Sequence, residues 1–301
     1  MTDEISVFDR RAVRHHRDRA APTMDGHDFL FGEVAERLAD RLADINRRFP
    51  LAVDLGGHGG VLRRTDALGD RIDMLIETDL SPALAARSNG PALAADEEAL
   101  PFGDARLDLV LSNLSLHWVN DLPGTLVQVR RALRPDGLFL AAILGGDTLI
   151  ELRHSLIEAE MATTGGASPR LSPFAELADA AGLLQRAGFA LPVADTDTIT
   201  VTYSDAFALM HDLRKMGEAG AGRERPKGFA QRGLFFTAAE RYQALYADDD
   251  GRIPATFQIL YLTGWAPADT QQKPLRRGSA ASRLADALGT TESPAGEKAG
   301  D

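Results

Sequence analysis

The chain has 301 residues, 44 of them acidic against 33 basic, for a formal charge of −11, and it contains no cysteine. That absence excludes disulfides, thiolate metal sites, iron–sulfur ligation and thiol nucleophiles, and the acid excess argues against nucleic acid as a partner, because non-specific nucleic-acid binding needs a basic surface. No run of about 20 apolar residues is present, so no transmembrane segment is expected. Asp3 and Glu4 precede any basic residue with no apolar stretch behind them, so no secretory leader is expected and the reading is a cytoplasmic protein.

In chain order, the first element is a basic arm. Residues 8–20 carry Arg10, Arg11, Arg14, Arg17 and Arg19 with only a thin apolar stripe, which predicts a helix laid across the domain: a solvated face, or a lid for an anionic partner. Phe29, Leu30, Val34, Leu38, Leu42 and Ile45 predict a long helix over 29–49. After Pro50 short apolar runs predict strands at 51–55, 71–77, 92–95, 107–111 and 138–144, the last behind a turn at 134–137. Helices are expected between them at 61–68, 82–87 and 122–133. Near-continuous apolar strands alternating with helices mean an α/β fold, a mostly parallel sheet with helices on both faces. Beyond it we expect helices at 148–162, 173–187, 203–216 and 235–246, with Gly188 stopping the second. Extended structure is expected at 189–202, a late strand at 256–262, loops at 163–169 and 217–228, and a polar tail from 266. This divides the chain into an arm and helix (1–49), a main domain (50–265) with a helical insertion at 203–248, and the tail (266–301).

The residues suited to chemistry gather where the predicted strands end. Asp54-Leu55-Gly56-Gly57-His58-Gly59-Gly60 joins the first strand to the helix expected after it, and glycines there allow positive φ and close approach of a ligand. The second strand ends at Glu77-Thr78-Asp79, the third at Asp96-Glu97-Glu98, the fourth at Ser112-Asn113 before Leu116-His117-Trp118. Polar groups at several carboxyl ends of one sheet predict a crevice of nucleoside size.

Asp54-Leu55-Gly56, Asp79-Leu80-Ser81, Asp96 to Phe102 and Leu133-Arg134-Pro135-Asp136-Gly137 resemble the successive motifs of class I S-adenosylmethionine-dependent methyltransferases. The resemblance implies a Rossmann-like, seven-stranded sheet with one antiparallel strand, and S-adenosylmethionine as cofactor. It implies a binding set of Asp54, Gly56, Gly57, Gly60, Asp79, Leu80, Asp96, Glu97 and Asn113. Asp54 would lie near the cofactor's amino-acid part, Asp79 on the ribose hydroxyls and Asp96 at the adenine. Stretches from Phe8-Asp9-Arg10 through Ser115 to Pro123, Gly145 to Arg153, Ser168 to Phe174, Leu213 to Glu218 and Pro254 to Ile259 resemble the family of mitochondrial complex I assembly factors with this fold. They are similar also to the methyltransferase that caps a malonyl group in biotin synthesis. Two features depart from the pattern: Gly57 and His58 stand where a cysteine and a glycine are usual, and Ala219-Gly220 follows Glu218 where a polar residue and an asparagine are usual.

The main reading is methyl transfer from S-adenosylmethionine to an unidentified acceptor. The resemblance adds hydroxylation of an arginine on a complex I subunit, with peripheral association at the inner face of the membrane, and a third reading is a non-catalytic assembly chaperone. His117 is the candidate base or acceptor-orienting group. Asp147 and Glu151 are one helical turn apart and suited to receiving a guanidinium, or Asp147 simply caps the helix. The seven histidines show no metal-ligand spacing, so no metal is assigned.

Overall fold

One sheet, with strand order β3-β2-β1-β4-β5-β7-β6, organises the chain. The structure is a computed structural model and describes residues 6–166, 168, 170–171, 177–226, 228, 232–272 and 284–291. The strands are β1 Phe49–Leu55, β2 Ile72–Asp79, β3 Ala92–Ala94, β4 Leu107–Asn113, β5 Leu133–Leu144, β6 Ala190–Tyr203 and β7 Ile253–Trp265. Neighbours from β3 to β5 run parallel, and β7 is antiparallel to both β5 and β6. This is the seven-stranded, mostly parallel α/β sheet expected from the sequence.

The central strands are apolar throughout because both faces are covered. β4 is buried at every position. Its Leu109 and Leu111 pack in one core with helix α2 (Phe29–Ala43), whereas Val110 packs in a second core with α4 (Leu122–Ala132). β6, at the edge, alternates half-buried with exposed residues. The arm is helix α1 (Arg10–Ala20), opened by Asp9, whose side chain accepts from the Ala12 amide. Helices α3 (Pro82–Ala85), α5 (Ile150–Thr164), α6 (Leu177–Arg186), α7 (Ala206–Met216) and α8 (Arg232–Tyr246) complete the first compact unit, residues 1–267. Residues 268–301 form a second unit, in which the described helix is α9, Leu284–Leu288. Among the described residues no helix is long and apolar enough to cross a membrane.

Four expectations are corrected. The helix at 61–68 is instead two 3-10 turns, Leu62–Arg64 and Asp66–Arg71, because Thr65 between them is extended (φ −80°, ψ 117°). The helix expected to reach residue 49 stops at Ala43, and Phe49 opens β1, since a residue preceding proline is steered out of the helical region. The helix at 82–87 shrinks to Pro82–Ala85. The turn at 134–137 is absorbed into β5, where Asp136 takes φ 64° and the ladder to β4 slips between Leu107 and Leu109. Gly188, at φ 84°, follows α6 as expected, but residues 172–176, where that helix was expected to begin, lie outside the described residues.

Candidate active site

The glycine turn after β1 is pinned to the neighbouring strand: the amides of Gly56 and Gly57 donate to the Thr78 carbonyl at 2.9 and 2.8 Å. Gly56 is required on two counts, a φ of 75° and a Cβ position only 2.0 Å from Ser115 Oγ. His58 follows with φ 47°, a left-handed conformation uncommon outside glycine. Its ring enters the site, stacks on Phe31 at 4.0 Å between centroids, and lies with Nε2 2.9 Å from the Asn113 carbonyl and 3.2 Å from that of Leu114. Two acceptors at Nε2 assign the proton to that nitrogen. Burial, reinforced by the nearby charge of Arg17, pushes its pKa down to about 3, so the imidazole is neutral.

The acids lie where the strand ends predicted. Asp54, at the end of β1, is fully buried, and neither carboxylate oxygen has a hydrogen-bond partner among the described residues. Burial, together with the charges of Glu77 and Asp79, raises its pKa well above the usual carboxylate range. Asp79, at the end of β2, accepts from the Ser81 amide at 2.8 Å and the His58 amide at 3.3 Å, and burial raises its pKa too. The arm reaches into the space between these acids. Arg17, 1% exposed at its side chain, donates to Glu97 Oε1 at 2.9 Å and Ser115 Oγ at 2.8 Å and lies 3.5 Å from Asp79 Oδ1. Arg10 donates to Asp96 at 2.6 Å, to the other oxygen of Glu97, and to the Trp118 carbonyl at 3.2 Å. Burial alone would raise the Glu97 pKa, but Arg17 and Arg10 pull it down to about 2. Asn113 uses its amide nitrogen on the Phe31 carbonyl at 2.8 Å, and Leu80 packs beside Phe8 and Trp118. Gly60, at φ 90°, faces Glu77.

His117 sits on a short 3-10 turn after β4, and its Nε2 is 3.0 Å from Glu218 Oε2. Trp118 Nε1 donates to the same oxygen at 2.9 Å. Interaction with His117 holds the Glu218 carboxyl below its usual range against the opposing effect of burial. Glu218 follows α7, about 100 residues from its partners, and was not singled out from the sequence as a site residue. It borders a cavity of about 300 Å³ between α5, α7 and α8 and a narrower apolar pocket lined by Leu30, Trp118, Leu149 and Phe257. Asp147 and Glu151 are not brought to the crevice acids. The two oxygens of Glu151 are taken by the Thr256 hydroxyl and amide on β7, and Asp147 exchanges hydrogen bonds with the Gln258 side chain. Asp147 does not cap α5: that place is held by Leu149, at φ 54° and without a side-chain bond. Arg10 and Arg17 are seven apart and so share a helix face two turns long, but nothing in that spacing marks the acids they reach.

Residues 53–141 match the family described as Methyltransferase domain. Over 94% of its length the chain is 43% identical to "Arginine-hydroxylase NDUFAF5, mitochondrial" of Danio rerio, covering 89% of that protein, and it is 43% identical to the Homo sapiens protein of the same name over 92% of the chain and 81% of the relative. The chain belongs to this family. NDUFAF5 relatives and this chain share ancestry with a second group, since the malonyl-[acyl-carrier protein] O-methyltransferase of Methylovorus is 34% identical over 89% of the chain and 92% of its own length. The fold matches a phosphoethanolamine N-methyltransferase of Haemonchus contortus in complex with S-adenosylhomocysteine at a TM-score of 0.51 and 16% identity, over 85% of this chain and 60% of that one. The chain thus carries a methyltransferase domain, on a fold shared with proteins solved in complex with S-adenosylhomocysteine or S-adenosylmethionine.

The residues present fit that cofactor. Asp79 and Glu97 are buried acceptors that here receive N–H groups from Arg17, and ribose hydroxyls and an adenine amine are donors of the same kind. Asp54 has two buried oxygens without a donor, and the cofactor's amino group carries donors. In this structure Arg17 supplies the donors on the same two acids that such groups would use.

Proposed function

We propose that this member of the NDUFAF5 family acts on an arginine side chain of a protein, a subunit of respiratory complex I, working from the cytoplasm at the inner face of the membrane. What supports the reading is the extent of the similarity. The matched methyltransferase domain ends at residue 141, whereas the 43% identity to the arginine-hydroxylases covers 94% of the chain. The second half, which supplies α5, α7, α8 and Glu218 to the cavity beside His117, is therefore shared with them as well. Cofactor binding is common to the whole superfamily, and acceptor choice belongs to that second half.

S-adenosylmethionine supplies an electrophilic methyl group, and methyl transfer is the reaction this fold serves by positioning. A guanidinium must surrender a proton before a nitrogen becomes nucleophilic. The His117–Glu218 pair, buried and at hydrogen-bond distance, is suited to orient the guanidinium and take that proton. Hydroxylation is the second reading, favoured by the name that the 43%-identical relatives carry. Mass spectrometry of a complex I subunit incubated with the protein, S-adenosylmethionine, dioxygen and a two-electron reductant separates the two. A gain of one methylene on an arginine establishes methyl transfer, a gain of one oxygen atom establishes hydroxylation, and either is expected to vanish in Asp79→Ala. An unmodified subunit that still requires the protein for assembly would replace both with a chaperone role.

A further inference from the structure

The arm and helix α7 bring like charges together at their carboxyl ends. Arg19 stands in the last turn of α1 and Arg214 in the last turn of α7. Both are exposed, and neither has a carboxylate partner among the described residues. Burial and the nearby charge of Arg214 lower the Arg19 pKa. The carboxylates that flank or share α7 are already engaged: Asp205 accepts from the Phe207 and Ala208 amides, and Asp212 is held by Tyr203 and His27. In a chain of formal charge −11 this is a local reversal of sign, and unpaired cations side by side repel unless an anion joins them.

The outward face of α7 changes character along its length. Phe207, His211 and Arg214 share one helix face, and all three are exposed. Phe207, 41% exposed, meets Phe236 of α8, 59% exposed, with 5.3 Å between ring centroids. Two phenyl rings held together in water leave apolar area that a partner would cover. Resting on the reading above that the protein works at the face of the membrane, we propose that this face of α7, with Arg19 of the arm and Phe236 of α8, docks on a bilayer containing anionic phospholipid. The rings enter the boundary between headgroups and acyl chains, and the arginines take lipid phosphates through their planar forks. A bilayer offers apolar depth and phosphate in one continuous surface, which matches both ends of the face. Met210 and Arg214 of α7 and Phe235 of α8 also wall the cavity of about 300 Å³, so docking here holds that cavity beside the membrane.

The test mixes the full chain with large unilamellar vesicles, either pure phosphatidylcholine or phosphatidylcholine with phosphatidylglycerol, and reads the bound fraction by sedimentation. Binding is expected to the mixed vesicles alone, and it should fall as salt rises. Arg19→Gln combined with Arg214→Gln is expected to weaken it by about tenfold or more. Phe207→Ser combined with Phe236→Ser should weaken it too, while leaving its salt dependence in place. The four positions lie outside the cofactor crevice, so an unchanged affinity for S-adenosylhomocysteine shows that each variant is folded. The comparison of the two lipids needs no variant. Equal binding to both kinds of vesicle, or mixed-vesicle binding untouched in both double variants, would overturn the proposal. Vesicles left unbound while a polyglutamate peptide is captured would overturn it as well and assign the face to an acidic protein segment. Vesicle binding without a mass change on any arginine would retire the arginine-directed reading and leave the docking face standing. Arginine modification by a chain that ignores vesicles would do the reverse.

Discussion

Glu97 and Glu218 are both buried carboxylates at the carboxyl edge of the same sheet, and they are satisfied in opposite ways. Glu97 accepts from Arg17 and Ser115 on one oxygen and from Arg10 on the other, all donors of its own chain. Glu218 accepts from Trp118 and is paired with His117 on one oxygen, and the other is buried without a hydrogen-bond partner among the described residues. A buried charge with its counter-charges built in closes a structure, because removing either partner strands the other. A buried charge with one oxygen left without a donor leaves part of its desolvation cost uncompensated. The first region ties the arm to the strand ends, and the second ties the segment after α7 to the turn after β4.

The comparison breaks most visibly at Arg17. Arg17→Met removes the cation that Asp79 and Glu97 share and is expected to destabilise the free protein by about 3–5 kcal/mol in urea unfolding. Combining it with Glu97→Gln should cost less than the sum of the two, because they remove one interaction. Saturating S-adenosylmethionine should recover part of the loss in Arg17→Met, by linkage to the folded state. Competition predicts a larger cofactor stabilisation in Arg17→Met than in the wild type, and an equal one would show that Arg17 and the cofactor do not compete.

Asp79→Asn sharpens the distinction between the two regions. It is expected to weaken S-adenosylmethionine by about 1.5–3 kcal/mol in calorimetry, the worth of a hydrogen bond to a charged group, whereas Glu218→Gln, whose charge reaches the crevice only through Arg17 and His58, should change it less.

The pH dependence of stability should divide the acids further. Glu97 has a folded pKa of about 2 against an ordinary 4.5, so its contribution is complete above 4.5 and is lost as pH falls toward 2. Asp54 works the other way, since its folded pKa is raised: it weakens the fold as pH rises past the ordinary 3.8. Urea midpoints measured against pH should flatten below 4.5 in Glu97→Gln and rise at neutral pH in Asp54→Asn. The smallest effect is expected at Asp205, whose carboxylate caps α7 by accepting from the Phe207 and Ala208 amides. Asp205→Ala should cost about 1 kcal/mol in thermal or chemical unfolding.

The sheet was legible because its signals are local. Apolar runs, the glycine turn and the acids at strand ends each lie within a few residues, and the structure places Asp54, Asp79 and Asp96–Glu97 at the carboxyl edge as those signals require. The arm was legible as a helix but not in its destination. Five arginines beside a thin apolar stripe look like a solvated face, and the partners of Arg17 stand 62 to 98 residues away. Glu218 was invisible as a site residue for the same reason, since nothing near it in sequence marks His117 or Trp118 as its contacts. His58 raised the question of which way a side chain would point, and the answer depended on φ at that one residue, which a neighbouring strand settles by holding Gly56 and Gly57 on Thr78. The helix expected at 61–68 failed at Thr65, where an extended residue outweighs the apolar spacing around it.

Phe8, just ahead of the arm, forms an antiparallel bridge to Gly222, backed by the Asp9 amide on the Ala221 carbonyl and the Arg223 amide on the Val7 carbonyl, each at 2.8 Å. The segment that delivers Arg17 is thus hydrogen-bonded to the loop that delivers Glu218. The two segments are therefore expected to open together, so that the amide protons of Asp9 and Arg223 exchange with solvent as one unit.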